Sequence, residues 1–251
     1  MKVIATIISI IALWSLTIAA QQRSSVSIFL IGDSTMADKP GSPSENPERG
    51  WGQLLPEYFS DRATVRNHAV NGRSSKSFIG EGRWQSVMDS LSSGDYVFIQ
   101  FGHNDQKYKD PDRYTNPWST YRANLEYYVA ATRSKGAHPI LLSSIVRRKF
   151  NEYGTLVDTH GAYPAVARMV ARELNVPFVD MQLLTEQIVA DLGPDDSKVI
   201  YLHIPAGVYP ALQEGKEDDT HLSLYGARRY AGIVVDEIRR QELPLVEYLR
   251  E

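Results

Sequence analysis

An α/β fold with a parallel sheet covered on both faces is predicted by three features of the sequence. Short apolar runs suited to buried strands recur along the chain, stretches with apolar residues at helical spacing lie between them, and no internal repeat or linker divides the whole. The last feature implies one domain over residues 21–251.

The strand candidates are 26–31, 64–68, 95–101, 140–144 and 177–179. Between them, 121–135 carries Leu125, Tyr128, Val129 and Thr132 at helical spacing and stops at Gly136, and 162–174 and 183–192 have the same character. Ser223 is placed to cap a last helix running through Ala227, Tyr230, Val234, Val235 and Ile238. Two stretches break the alternation. Residues 37–49 are rich in Pro, Gly and Ser, and 193–217 mix charges with Pro and Gly, so both are expected as loops on a functional rim.

The start of the chain bears on where it works. Lys2 precedes an uncharged apolar stretch over residues 3–20 that ends in small residues, which is the pattern of a secretory signal peptide over 1–20, cleaved after Ala19 or Ala20. An uncleaved membrane anchor is the rival, since about eighteen apolar residues can just span a bilayer. The expected location is secreted or periplasmic, with no stable membrane association once the leader is gone. Cysteine is absent, which excludes disulfides and a thiol nucleophile. Without Lys2 the totals are 26 basic and 30 acidic residues, a balance that offers no electrostatic reason to expect nucleic acid.

Four short segments carry chemistry. Ser34 follows the first strand candidate in a turn opened by Gly32, where open parallel sheets place ligand sites, with the next helix expected to start there. A serine hydroxyl needs a base near neutral pH, and His221 is the best of six histidines because Asp218, three residues upstream, can hold its other ring nitrogen. Asp219 competes for that role at a less favourable spacing. Asn104 follows the very apolar 95–101 run, and Gly72 follows 64–68, where a residue without a side chain lets a backbone N–H approach a substrate. Together with the Ser34 N–H these are candidate donors to an oxyanion, each typically worth about 3 kcal/mol in such a site. Separately, each residue has a plain structural role as helix cap, turn residue or solvated loop. Jointly, those plain roles require four coincidences of type, order and placement.

The set Ser34, Gly72, Asn104 and His221, in this order, resembles the block pattern of the SGNH hydrolases, also called the GDSL esterase/lipase superfamily. The strings Gly32-Asp33-Ser34-Thr35-Met36, Gly50-Trp51-Gly52, Asn71-Gly72-Arg73-Ser74-Ser75, Glu81-Gly82-Arg83-Trp84, Phe101-Gly102-His103-Asn104-Asp105 and Asp219-Thr220-His221-Leu222 are similar to the rhamnogalacturonan acetylesterases within it. The resemblance implies a flavodoxin-like three-layer α/β/α sandwich with a five-stranded parallel sheet, and removal of acetyl groups from pectin backbone with no metal or organic cofactor. The lack of cysteine departs from fungal relatives, which carry disulfides, and favours a bacterial type.

An acetylated polysaccharide is therefore the expected partner, with xylan as the alternative glycan and a non-catalytic carbohydrate-binding protein as the alternative class. A uronate carboxylate in each rhamnogalacturonan repeat calls for cations and stacking rings, and Arg73, Lys76, Arg83 and Trp84 cluster near Gly72. Arg73 or Arg83 is expected to pair with a carboxylate, bidentate geometry being arginine's advantage. Trp51 and Trp84 fit the core as well as a sugar platform. Arg147, Arg148 and Lys149 are expected as solvated surface, and His103 as a structural partner of its loop. Oligomeric state is not legible.

Overall fold

The computed structural model describes residues 25–210 and 212–250; the expected signal peptide lies outside the described residues. Five strands form the main sheet: β1 (Val26–Gly32), β3 (Ala63–Asn67), β4 (Tyr96–Gln100), β5 (His138–Leu142) and β6 (Phe178–Val179). All pairings are parallel, in the order β3-β1-β4-β5-β6. Each strand candidate becomes a strand, and the ends shift by up to two residues. β5 stops at Leu142; beyond it Ser143 N–H still donates to Val179 O at 3.2 Å, while the side chains bind locally, Ser144 Oγ donating to Phe101 O and Ser143 Oγ to the Asp180 carboxylate.

Alternation along the strands sorts side chains into two cores. Ile28, Leu30, Phe98, Ile140 and Leu142 point to one face, and Phe29, Ile31, Val97, Ile99 and Leu141 to the other. Both faces are buried, which is why these strands read as unbroken apolar runs. The first face is covered by α1 (Trp51–Leu54), α6 (Met181–Asp196) and α7 (Leu224–Arg240). The second is covered by α2 (Ser75–Gly80), α3 (Arg83–Ser90), α4 (Arg122–Ser134) and α5 (Tyr163–Glu173). The result is the three-layer α/β/α sandwich implied by the sequence.

Helix ends follow their local chemistry. Ser223 Oγ accepts from Gly226 N at 3.1 Å and caps α7 as expected. Ser74 and Ser77 form a capping box at the start of α2. In α6, Gly193 adopts φ 71° and ψ −175°, so the continuous helix ends at Leu192 and Pro194 opens a fresh turn.

The two stretches expected as loops contain more order than that. Within or beside them lie β2 (Glu48–Arg49), β7 (Tyr201–Ile204) and β8 (Lys216–Ser223), which make a small antiparallel sheet in the order β2-β8-β7. On β8 the register against β7 slips: Leu202 pairs with Asp218 while Tyr201 pairs with Leu222. Residues 219–221 therefore bulge from the β7 side, a device that re-aims side chains.

Candidate active site

The loops leaving the carboxyl ends of β3, β1, β4 and β5 lie side by side, because those strands are neighbours about 5 Å apart in the sheet. They carry Gly72, Ser34, Asn104 and Arg147 respectively. His221 comes from the other sheet, on the bulge of β8 that faces this rim. A cavity of about 530 Å³ is lined by Ser34, Gly72, Asn104 and His221, and also by Glu48, Asn71, His103, Lys107, Arg147 and Thr220.

Ser34 is followed by a single turn rather than by the expected helix: Ala37 N–H donates to Asp33 O at 3.0 Å, and the chain then runs on to β2. Buried polar groups fix this turn. Asp33 Oδ1 accepts from Thr35 N–H and from the Thr35 hydroxyl, both at 2.9 Å. The same hydroxyl accepts from Gln100 Nε2 at 2.9 Å, and Gln100 Oε1 accepts from Trp51 Nε1 at 3.0 Å. Thr35 and Trp51 are thus structural supports of the serine turn. A Cβ on Gly32 would stand 2.8 Å from Gln100 O, so only glycine lets β1 and β4 meet here. On the other side Asp33 Oδ2 faces His103 Nδ1 at 3.6 Å, while His103 Nε2–H donates to Ile145 O at 2.9 Å. Burial would raise the Asp33 carboxyl, but the His103 ring and the Thr35 donors outweigh it and hold the group below its ordinary range.

The structure brings Ser34, His221 and Asp218 into line. His221 Nε2 lies 2.9 Å from Ser34 Oγ, and His221 Nδ1 lies 2.8 Å from Asp218 Oδ2. An ionised carboxylate only accepts, so Nδ1 carries the proton and Nε2 is the acceptor for the serine hydroxyl. Asp218 Oδ1 also accepts from Thr220 N–H and His221 N–H, each at 2.9 Å, which closes the bulge as an Asx turn. Burial pushes the Asp218 carboxyl up, yet these bonds and the nearby His221 charge hold it well below the usual carboxylate range. Asp219 points elsewhere. Its carboxylate accepts from Arg148 Nη1 at 2.6 Å and lies 2.8 Å from His203 Nε2.

Gly72 takes φ +78° in the turn after β3, a conformation that favours glycine. Asn104 Nδ2 donates to Arg73 O at 3.2 Å, tying the third loop to the second. Asp105, the next residue, accepts from Ser75 N–H, from the Ser75 hydroxyl at 2.5 Å and from the Thr115 hydroxyl at 2.9 Å. Burial pushes its carboxyl from the usual 3.8 to about 6, against the pull of those donors. A carboxyl whose pKa is higher in the fold takes up a proton on folding, so its contribution to stability is complete below the unfolded value and declines as pH rises through the folded one. Asp105→Asn removes this titration. The wild type's stability relative to the variant, measured by urea unfolding, is expected to be greater at about pH 4 than at about pH 7.5; the reverse trend would contradict the assignment.

Three substrate-binding expectations need correction. Trp84 is 2% exposed and packs edge-on against Tyr128 in the second core, so it offers no ring to a sugar. Arg73 and Arg83 do not line the cavity; both pair with Glu81, at 3.0 and 2.6 Å, and Arg73 also folds back onto Asn71 O. Conversely, Arg147 and Arg148 are not solvated surface. Arg147 lines the cavity, and Arg148 is buried against Asp219 and Ser197. The position of Arg147 just beyond a central strand was the available signal, and it was outweighed by the run of like charges. Glu48 and Lys107 were also missed. Glu48 pairs with the buried Lys39 at 2.8 Å, and Lys39 in turn donates to Asn71 Oδ1 at 2.6 Å. Among the described residues no three His, Asp or Glu side chains group to hold a metal ion.

The arrangement presents a hydroxyl, an imidazole able to take its proton and backbone or amide donors beside one cavity, which suits attack on an acyl carbonyl. Comparisons with known proteins agree with that chemistry. The chain is 41% identical over 224 residues to the rhamnogalacturonan acetylesterase RhgT of Bacillus subtilis (strain 168), covering 89% of this chain and 94% of that one. It is 36% identical over 220 residues to the probable rhamnogalacturonan acetylesterase YesY of the same organism, covering 88% and 95%. Among solved structures, protein YXIM of Bacillus subtilis superposes with a TM-score of 0.73 at 24% identity over 88% of this chain and 58% of its own length, a likeness of fold. The model of the GDSL-like lipase/acylhydrolase family matches residues 30–229, and with the serine turn, the glycine and asparagine loops and the carboxyl-terminal histidine all at one rim, the chain belongs to that family.

Proposed function

We propose that this protein is a carbohydrate acetylesterase that removes O-acetyl groups from rhamnogalacturonan outside the cytoplasm, by a serine mechanism through an acetyl-enzyme. The observation that carries the chemistry is the unbroken line from Ser34 Oγ through His221 to Asp218, with Ser34 and His221 lining the cavity. His221 takes the Ser34 proton as the hydroxyl oxygen attacks the acetyl carbonyl. Asp218 keeps the imidazole in the required tautomer and stabilises the cation that forms. The carbonyl oxygen gains negative charge and is received by the N–H groups of Ser34 and Gly72 and by the Asn104 amide. His221 then protonates the departing sugar oxygen. Water, deprotonated by the same histidine, attacks the acetyl-enzyme, and acetate leaves as Ser34 regains its proton.

The substrate is supported by the length and degree of similarity to RhgT. Export is supported by the apolar segment after Lys2. The test is acetate release from acetylated rhamnogalacturonan, acetylated xylan and an aryl acetate. Rhamnogalacturonan is expected to give the highest kcat/KM; a clear preference for xylan would overturn the substrate while leaving the acyl chemistry in place.

A further inference from the structure

Two cations on the cavity wall have no carboxylate partner. Lys107 and Arg147 line the same cavity as Ser34, yet among the described residues neither lies within ion-pair distance of an Asp or Glu, whereas Arg73, Arg83, Arg113 and Arg148 all do. Arg147 is half-buried and held in place by bonds to backbone: it donates to His103 O at 3.2 Å and reaches Thr159 O at 3.4 Å. Those bonds orient the guanidinium without neutralising it. Burial lowers the basicity of both groups, and the nearby positive charge of Arg113 and Arg147 lowers that of Lys107 further; the more distant Asp33 carboxylate, and Asp110 for Lys107, offset this only in part. Unpaired like charges side by side are costly, and an anion between them relieves that cost.

The wall continues past the serine. A second cleft of about 450 Å³ shares His103, Lys107 and Arg147 with the first and is bordered by Tyr108, whose side chain is 72% exposed. The Lys109 ammonium lies over this ring, 5.7 Å from its centroid, and the exposed remainder of the tyrosine presents an apolar surface with a polar tip, which suits one side of a sugar ring.

Resting on the acetylesterase reading above, we propose that Lys107 and Arg147 form a carboxylate-binding subsite for a uronate of the bound acetylated glycan, with Tyr108 as the platform for that sugar's ring. Arginine supplies a planar pair of donors and lysine a mobile point charge, so the pair grips a carboxylate from two directions. A neutral glycan such as xylan leaves both charges unmatched, so the subsite determines specificity and takes no part in bond breaking.

The test compares an acetylated rhamnogalacturonan oligosaccharide with the same oligosaccharide after reduction of its carboxylates to primary alcohols. The wild type is expected to prefer the acidic form by about tenfold or more in kcat/KM, chiefly through KM, and to lose that preference as salt is raised. Lys107→Ala, Arg147→Gln and Tyr108→Ala should each lower the preference, and Lys107→Glu should abolish it. Lys107 and Tyr108 are exposed, so their variants remain informative where Arg147→Gln disturbs the loop. Equal wild-type activity on both forms, or variants that lose the same factor on both, would overturn the subsite. Unacetylated oligogalacturonate should also inhibit wild-type hydrolysis of an aryl acetate and inhibit Lys107→Glu at least about fivefold more weakly. Absence of that inhibition overturns the subsite. Its presence in an enzyme that hydrolyses the aryl acetate but releases no acetate from either oligosaccharide would support the subsite and overturn acetylated rhamnogalacturonan as the substrate instead.

Discussion

Ser34→Ala is expected to lower acetate release by about 10⁵-fold while leaving the fold and polysaccharide binding intact. The size of the loss follows from the division of labour at the rim. Among the described residues Ser34 Oγ is the hydroxyl that hydrogen-bonds to His221 Nε2, and Nδ1 is engaged by Asp218. What remains is the cavity with its amide donors, enough to hold an ester but without a nucleophile fixed against it. Structure should be untouched because the serine turn does not depend on Ser34 Oγ. Asp33, Thr35, Gln100 and Trp51 hold it through bonds in which the serine side chain has no part. The measurements are acetate release from acetylated rhamnogalacturonan, the unfolding midpoint, and retention of the polymer on affinity electrophoresis. A variant within about tenfold of wild-type turnover would remove Ser34 from the chemistry.

The parts of this site that were legible in the sequence are those whose physics is local. β1 and β4 read as strands because helices cover both of their faces, so Ile28 through Ile31 and Val97 through Ile99 are apolar without alternation. Asp218 could be paired with His221 because a three-residue Asx turn brings the side chains together, and the backbone of Thr220 and His221 donates to the same carboxylate. β8 was illegible for the opposite reason. Its sequence is almost wholly polar, most of it is half-exposed, and its order comes from partners as far away as Glu48 and Tyr201. Charged residues failed in the same way. Whether an arginine is free for a ligand depends on which carboxylate lies near it in space: Glu81 takes Arg73 and Arg83, Asp219 takes Arg148, and among the described residues no carboxylate lies within ion-pair distance of Arg147. Trp84 and Trp51 give no local sign of being core residues, since neither flanking polarity nor spacing separates a buried indole from a platform.

Asp218→Asn is expected to lower kcat by about 10³–10⁴-fold, whereas Asp219→Asn should lower stability and leave most of the turnover. Four groups face the Asp218 carboxylate among the described residues and all are donors: two backbone N–H groups on Oδ1, the His221 Nδ1–H on Oδ2, and the Lys216 ammonium 3.4 Å from Oδ2. An asparagine has one acceptor oxygen, and the paired backbone donors keep it. Its NH₂ then faces His221 Nδ1, which must become an acceptor, so the ring proton moves to Nε2 and the imidazole can no longer take the Ser34 proton. At Asp219 the loss is of another kind, because the side chain neutralises the buried Arg148 and contacts His203 while making no contact with His221. Removing that charge leaves a buried guanidinium without its carboxylate, and because Asp219 is partly exposed and Arg148 keeps its bonds to Ser197 and Pro194 the cost is expected at about 1–3 kcal/mol. The pH dependence separates the two further. Asp218 is held below its usual 3.8 in the fold, so its contribution to stability is present above that value and is lost as pH falls through it toward the folded one. The stability gap between wild type and Asp218→Asn should accordingly narrow in acid, as followed by urea unfolding from neutral pH down to about pH 3. Full turnover in Asp218→Asn together with its loss in Asp219→Asn would exchange the two roles, and the bulge of β8 would then have to turn over in solution to bring the second carboxylate to the histidine.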